Sequence, residues 1–387
     1  MWIYIIAYII ILVLIFIDKK ISIKNKKKYL AYWVVFITLI SGLRDMLGGY
    51  DSYIYAEVFD STSDQLDAGI PIYKTTAILL NPTELGFGYF NVAIACITAN
   101  RYIFLLIISI LVFYSLYHHI TRYSRYPLLA FFILWCLWYF FSFTYLRQVM
   151  AACICWYAVP YAINRKPWQF FAIVTLAFSF HNSAALFYFV YFIAHKQFTR
   201  NQIIQYSLIS LLIGLTPVGS IIFQVIGTNI NENKAGSVIN HSNTANINYI
   251  IEAILFLSIF LYQYKNIAKD KKSICMFNIA LLFIFTLIFF VRFSDGGRMS
   301  WYFLIGISCI TAQLSMKGVN SFFVKIMVVI IVSLLYFRIL FGWGGLLSPY
   351  KTFLTDGVRK NDPCARYEYD SNYDEDKLYR PIIKIFK

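Results

Sequence analysis

The chain has 387 residues, of which 60% are hydrophobic and only 14% are charged, and its mean hydropathy is +0.64. This composition excludes an ordinary soluble domain and indicates an integral membrane protein, because long apolar runs need lipid or other helices around them. The formal net charge is +15. The basic residues lie in short loops between apolar blocks rather than in one patch, so we do not expect nucleic-acid binding.

Twelve apolar blocks follow one another along the chain. A bilayer core about 30 Å thick needs about 20 residues of helix, so the sequence predicts an all-α, polytopic membrane bundle of about twelve transmembrane helices. The blocks are 1-17, 29-43, 102-118, 127-145, 148-163, 168-180, 183-194, 203-226, 249-264, 273-291, 299-315 and 322-341. We predict one membrane domain over residues 1-341 and a C-terminal tail over residues 342-387.

Lysine and arginine are concentrated in every second loop, beginning with the six lysines of residues 18-28. The positive-inside rule assigns these loops to the cytoplasm, and contact with anionic lipid suits their charge. The predicted outer side then receives the loop 44-100, the turns at Arg147 and His181, the loop 227-248, the turn 292-298 and the tail. An even number of spans places both termini outside.

Two stretches are predicted to be broken or re-entrant instead of crossing the membrane fully. The blocks 168-180 and 183-194 are short and meet at His181-Asn182-Ser183, which predicts a broken hairpin inside the bundle. Residues 84-99 predict a re-entrant or interfacial helix, and the sequence leaves open whether they span. Irregular backbone at membrane depth is tolerated only where protein surrounds it or where it lines a cavity.

Four arginines lie at predicted outer helix ends, where charge is costly unless it is paired or faces a wet cavity. They are Arg44, Arg147, Arg292 and Arg298. A single arginine of this kind is usually an interface anchor or the partner of a nearby acid. Four on one side favour an anion site, because guanidinium stays charged when partly buried and binds phosphate oxygens through two N–H groups.

Further candidates are a histidine, two carboxylates and a tyrosine. His181 lies at an apolar boundary, where its imidazole could take a proton from a hydroxyl near neutral pH, although a histidine that caps a helix end is the plainer interpretation. Asp51 and Glu84 could accept hydrogen bonds or a proton from a sugar, or pair with arginines. Tyr50 could stack on a sugar ring, but interfacial aromatic belts use the same residues. No cysteines or histidines have metal-ligand spacing, so no metal is predicted.

The order of these motifs resembles the EpsG family of bacterial polysaccharide membrane proteins, related in role to Wzy-type O-antigen, capsule and exopolysaccharide polymerases. The matching elements are Arg44 with Gly48, Gly49, Tyr50, Asp51 and Tyr55; Glu84-Leu85-Gly86-Phe87; Leu146-Arg147-Gln148; Phe180 to Ala184; Arg298 with Trp301-Tyr302-Phe303; and Pro349-Tyr350. The chain departs from the family pattern in placing an acid, Asp45, directly after Arg44.

The resemblance implies an enzyme similar to lipid-donor membrane glycosyltransferases, located in the bacterial cytoplasmic (inner) membrane. Such an enzyme would join oligosaccharide repeat units carried on undecaprenyl diphosphate at the outer face. Its partners would be that lipid-linked substrate, membrane lipids and, in the assembly pathway, a chain-length regulator and a flippase. Two other functions stay open: a transporter or flippase of lipid-linked glycans, and a membrane O-acyltransferase, which also uses an intramembrane histidine.

The resemblance also implies roles for the candidate residues, without any cofactor. Arg147, Arg292 and Arg298 would hold the diphosphate and stabilise its charge as the glycosidic bond breaks. His181 would be the general base, with Asp51 as the alternative. The residues left to bind or orient substrate are Arg44, Glu84, Gln148 and Tyr50.

Overall fold

The structure is a computed structural model that describes residues 1-216, 218, 245-293, 296-317 and 320-384. About 75% of the chain is helical and the described residues contain no strand. In chain order the α-helices are α1 (Trp2–Phe16), α2 (Ile23–Gly42), α3 (Tyr50–Asp67), α4 (Thr76–Leu79), α5 (Leu85–Ala95), α6 (Arg101–Tyr123), α7 (Pro127–Trp138), α8 (Phe141–Thr144), α9 (Leu146–Trp156), α10 (Val159–Ile163), α11 (Pro167–Phe180), α12 (Phe189–Ile193), α13 (Arg200–Leu215), α14 (Ile247–Tyr262), α15 (Lys271–Phe289), α16 (Gly296–Met299), α17 (Leu304–Lys317), α18 (Ser321–Gly342), α19 (Gly344–Leu347) and α20 (Asn372–Glu375). Short 3-10 helices cover Asp18–Lys20, Ile72–Lys74, Asn182–Tyr188, Tyr264–Asn266, Ser300–Phe303 and Ala365–Tyr367.

Five segments of the described chain are long and apolar enough to cross a membrane. They are Arg101–Tyr123, Leu146–Ile163, Lys271–Phe289, Gly296–Lys317 and Ser321–Gly342. Shorter apolar helices accompany them at Trp2–Phe16, Leu85–Ala95, Pro127–Trp138, Pro167–Phe180, Asn182–Ile193 and Ile247–Tyr262. The prediction of an all-helical membrane protein is therefore confirmed, and the count of twelve spans stays a prediction.

Helix α17 forms the centre of the bundle. It packs against α7, α15 and α18, and the segment Gly296–Lys317 that contains it is far more buried than α18. The largest side chains of the core include the fully buried Trp135, Trp138 and Trp156. In α18, by contrast, large apolar side chains such as Leu334 and Phe341 are exposed. We infer that this face of α18 contacts lipid, because the membrane is the natural surrounding for such side chains.

The break predicted at His181 is confirmed, and it joins two elements that pack against each other. Helix α11 ends at Phe180, His181 is extended with φ −157° and ψ 125°, and a 3-10 helix follows over Asn182–Tyr188. Helix α5 packs on α11 at the same end. A Cβ at Gly86 would lie 2.1 Å from the Ser179 hydroxyl oxygen and 3.0 Å from the Ser179 main-chain carbon, so any larger residue would require α11 or its side chains to shift.

Residues 84-99 contain one helix, which is too short to cross a bilayer by itself. Helix α5 has 11 residues, which corresponds to a length of about 16 Å against a hydrocarbon core of about 30 Å. The re-entrant or interfacial alternative therefore fits this segment better than a full span. The predicted loop 227-248 lies mostly outside the described residues, as do the end of the block 203-226 and residues 294-295 of the turn 292-298.

The segment 44-84 is not simply a loop, because the 18-residue helix α3 occupies much of it. Gly48 and Gly49, with φ of 117° and 97°, turn the chain from the end of α2 into α3. Low hydropathy conceals α3 in the sequence, since its buried residues include Ser52 and Asp60 as well as Phe59. Its partner is the C-terminal tail, which the sequence places hundreds of residues away.

The tail is tied to α3 through one fully buried arginine at the start of α6. Nε of Arg101 lies 3.1 Å from Oδ2 of Asp60 in α3, and its Nη2 lies 2.9 Å from Oε1 of Glu368 in the tail. The Tyr373 ring covers the guanidinium at 3.6 Å. Farther along the tail, Arg380 lies 2.7 Å from Asp64. Basic residues of the tail thus neutralise acids of α3, and Arg101 joins three parts of the chain.

We expect Glu368→Ala to loosen the tail. Removing this carboxylate leaves the buried Arg101 with less compensation, and breaking a buried ion pair from one side costs about 3 kcal/mol or more. The melting temperature in detergent should fall, and limited proteolysis should cleave the tail sooner. Glu375→Ala, at an exposed acid of the same tail, is the matched control. Equal cleavage of the two variants would contradict this assignment.

Candidate functional site

The centre of the candidate site is Arg147, at the start of α9. Its Nη1 donates to Oε2 of Glu84 at 2.5 Å and also to the side-chain oxygen of Asn81, while its Nε donates to the Tyr55 hydroxyl at 3.2 Å. Glu84 is buried, whereas the Arg147 side chain keeps 23% of its surface exposed. The guanidinium is therefore held by fixed partners but remains open to a ligand on one side.

Asp51 and Tyr55, one turn apart in α3, complete this group. Asp51 is close enough to interact electrostatically with both Tyr55 and Arg147. Burial raises the pKa of Tyr55; the positive charge of Arg147 opposes that rise, and the carboxylates of Asp51 and Glu84 add to it. Tyr55 therefore stays a neutral hydroxyl, able to donate a hydrogen bond to a sugar or phosphate oxygen.

Glu84 links Arg147 to the broken hairpin. Its Oε1 accepts the backbone N–H of Asn182 at 3.2 Å, and the Asn182 amide donates to the Thr83 hydroxyl at 3.0 Å. One carboxylate thus positions both an arginine and the backbone next to His181. This contact explains why the start of α5 and the hairpin break share one end of the bundle.

His181 has a defined hydrogen-bonding state in this arrangement. Its Nδ1 accepts the Ser183 backbone N–H at 3.3 Å and lies 2.8 Å from the Ser183 hydroxyl, which is itself 2.8 Å from the Tyr302 hydroxyl. Because a backbone N–H can only donate, Nδ1 must be the acceptor and the neutral imidazole carries its hydrogen on Nε2. Any proton taken up by this ring therefore arrives at Nδ1, the nitrogen that faces Ser183.

Gln148 connects the hairpin with the chain near Arg298. Its side-chain N–H donates to the Arg298 carbonyl at 2.9 Å and to the Ser183 hydroxyl at 3.4 Å. The Arg298 guanidinium lies 4.5 Å from the centre of the Tyr145 ring. Tyr145 precedes Arg147 by two residues in the chain. Arg298 is thus placed beside the site, with its backbone held by a buried glutamine.

Three residues proposed from the sequence have their described contacts elsewhere. Arg44 is fully buried and donates to main-chain carbonyls, including those of Leu47 at 3.2 Å and Phe143 at 3.1 Å. The Tyr50 ring packs against Tyr367 of the tail, with the ring centres 4.2 Å apart. Nη1 of Arg292 donates to the Leu215 carbonyl at 3.0 Å. The structure brings together the other six: Asp51, Glu84, Arg147, Gln148, His181 and Arg298.

Sequence reasoning missed a second group of charges beside Arg298. A cavity of about 230 Å³ is lined by Arg298, Glu252 of α14 and Arg338 of α18, together with aromatic and aliphatic side chains. Glu252 is the one charged residue of the predicted block 249-264, and Arg338 shares the block 322-341 with Lys325, which lies near its start. These positions were a usable signal, since a charge within an apolar block marks a functional position by default.

The described residues include no group of three histidine, cysteine or carboxylate side chains able to hold a metal ion. The site instead contains arginines, carboxylates and one imidazole. The fold and this site define a helical membrane protein with a charged, hydrogen-bonding site at the ends of its helices. The EpsG family model matches residues 27–352, so the chain belongs to this family of Wzy-type polysaccharide polymerase-like membrane proteins. No curated protein and no solved structure matches it.

Proposed function

We propose that this protein is a membrane glycosyltransferase that joins oligosaccharide repeat units carried on polyprenyl diphosphate, at the outer face of a bacterial cytoplasmic membrane. The family association with glycosyltransferase-like polymerase function supports the reaction class. The observation that carries the proposal is the meeting of Arg147, His181 and Arg298 at one end of the bundle, through Glu84 and Gln148. This arrangement combines cations for a phosphate with a base for a hydroxyl.

The proposed reaction balances without a metal or a cofactor. A hydroxyl oxygen of the acceptor sugar attacks the anomeric carbon of the donor, a new glycosidic bond forms, and the bond between that carbon and the diphosphate oxygen breaks. The polyprenyl diphosphate leaves with the bonding electrons. Arg147 and Arg298 would stabilise the leaving group, because fixed cations in a water-poor site cost no reorganisation as charge develops.

Ser183 would relay the acceptor proton to His181. The acceptor hydroxyl gives its proton to the Ser183 oxygen, and Ser183 gives its own hydrogen to Nδ1, 2.8 Å away. The incoming hydroxyl would displace the Gln148 contact, which at 3.4 Å is the longest of the three side-chain contacts of the Ser183 hydroxyl. His181 becomes imidazolium with hydrogens on both nitrogens.

The test is reconstitution of the purified protein with lipid-linked repeat units in detergent. We expect a ladder of lengthened glycans on the lipid carrier, together with released polyprenyl diphosphate. A flippase would produce no ladder, because it acts only across a sealed bilayer. An O-acyltransferase would instead increase the mass of each unit by an acyl group, without lengthening the glycan.

A further inference from the structure

The second group of charges lies in a cavity between helices, and of these charges the reaction above uses only Arg298. Arg338 comes from α18, and Glu252 comes from α14. Asn246 and Tyr249, at the start of α14, add polar atoms to the wall, and Arg298 adds a second guanidinium. Two arginines and one glutamate leave a net charge of +1, which suits an anionic ligand.

Several other residues that line the cavity are apolar. Leu335 and Ile339 line it from α18, Phe283 and Leu287 from α15, and Leu304 from α17. A cavity lined by both charged and apolar side chains fits a ligand that has both an anionic group and a hydrocarbon part. A phosphate ester of a hydrocarbon chain has this character, because its head is anionic and its tail is apolar.

The size of the cavity indicates that only the end of such a ligand is enclosed. At about 230 Å³ it is smaller than the roughly 300–1,000 Å³ of pockets that enclose a whole drug-sized ligand. The rest of the ligand must lie outside, and the helices beside the cavity expose large apolar side chains. On α14 these include Ile251 and Ile254, and on α18 Leu334 and Phe341. These surfaces would contact lipid, which is the natural environment of a prenyl chain.

The two helices beside the cavity are joined at their far ends. The Asn320 amide donates to the Tyr262 hydroxyl at 3.1 Å, which ties the start of α18 to the end of α14. At the opposite ends the cavity lies between them. Each helix also packs on the central α17, so residues of α14, α17 and α18 together line the cavity.

Arg338 itself needs an explanation that the helix alone does not offer. It lies in a 22-residue, strongly apolar helix, where a cation is costly unless it faces a partner or a polar cavity. Glu252 interacts with it electrostatically, and together they make this part of the wall polar. An anion beside Arg338 would compensate its charge further.

We propose that this cavity is the site where a prenyl-linked phosphate enters from the bilayer, with Arg338 and Arg298 contacting the phosphate and the apolar wall contacting the first prenyl carbons. The inference rests on the proposed function for the identity of the lipid and extends it with a second subsite beside the His181 cluster. Arg298 belongs to both, because Gln148 holds its backbone while its side chain lines the cavity.

The test measures binding without polymerisation. Radiolabelled farnesyl phosphate is bound to the purified full-length protein in detergent, and we expect Arg338→Ala to weaken binding at least tenfold. Leu335→Trp, which keeps every charge but fills the apolar wall, should weaken binding to a similar degree. Arg125→Ala, at an exposed arginine of a loop, should bind within twofold of the wild type. Monodispersity on size exclusion confirms that each variant is folded.

Several results would overturn the inference. One is unchanged binding in both cavity variants. Another is equal displacement of the probe by inorganic phosphate, which indicates a free-phosphate site, or by phosphatidylglycerol, which indicates a general site for anionic lipid. If the binding experiment failed, the protein could still lengthen glycans in detergent, and the proposed function would stand. Conversely, a protein that binds the probe through Arg338 but forms no ladder would refute the proposed function alone.

Discussion

Arg147→Ala is expected to abolish polymer and leave single repeat units on the lipid carrier. Removing one preorganised donor from an anion-stabilising site lowers rates by about 10²–10³-fold. Arg147 supplies a positive charge as well as hydrogen bonds from two of its nitrogens. Arg147→Lys should restore only a small part of the activity, because Arg147 contacts Glu84 and Asn81 through Nη1 and Tyr55 through Nε, and an ammonium has one nitrogen to serve all three. The measurement is glycan length by gel electrophoresis of cell extracts and of the detergent reaction.

The control must separate lost chemistry from lost folding. Arg147→Ala leaves the buried Glu84 without its cation, which costs about 3–5 kcal/mol when a buried pair is broken from one side. The double variant Glu84→Gln with Arg147→Gln removes both charges and should be better folded than the single variant. We expect it to remain inactive. Normal chain length in this folded double variant would show that Arg147 serves only to neutralise Glu84.

His181→Ala is expected to reduce chain lengthening by about 10²–10⁴-fold, the usual contribution of a positioned general base. Ser183→Ala should cause a comparable loss, since it removes the hydroxyl between the acceptor and Nδ1. Ser183→Thr should keep much of the activity because it keeps the hydroxyl. The wild-type rate should fall at low pH, because a protonated His181 cannot accept the proton that Ser183 passes on.

Asp51→Asn decides between the two candidate bases. If His181 accepts the proton, this variant should stay within about threefold of the wild-type rate and keep the same decline at low pH. A loss in Asp51→Asn larger than that in His181→Ala would assign the base to Asp51. Wild-type activity in both Ser183→Ala and His181→Ala would exclude the relay.

The sequence predicted the membrane bundle and its break well, because these depend on local composition. Long apolar blocks and the polar interruption at His181 are visible without knowledge of neighbours. Helix α3 was hidden for the opposite reason. Asp60 is buried because Tyr369, 309 residues away, donates to it, together with Arg101 and Tyr373. A helix that buries polar side chains against such distant partners lacks the regular spacing of apolar residues by which a helix is recognised in sequence.

The candidate site was predictable as a set of residues but not as a set of pairs. Arg147, Glu84 and His181 were each recognisable from charge beside apolar sequence. Their contacts depend on how α5, α9 and the hairpin pack, and no spacing in the sequence specifies that Glu84 bonds both Arg147 and Asn182. Arg44 shows the reverse difficulty, because a buried arginine that binds carbonyls is indistinguishable in sequence from one that awaits an anion.

The residues that contact the Arg101 guanidinium lie on both sides of the C-terminal limit of the family match. The match ends at residue 352, so Arg101 and Asp60 lie inside it whereas Glu368 and Tyr373 lie beyond it. A relative that ends early would keep the Asp60 carboxylate beside the arginine but would lack the carboxylate and the ring that the tail supplies. We therefore expect the glutamate and the tyrosine that contact Arg101 from the tail to be present or absent together among relatives, which makes this extension a marker for subdividing the family.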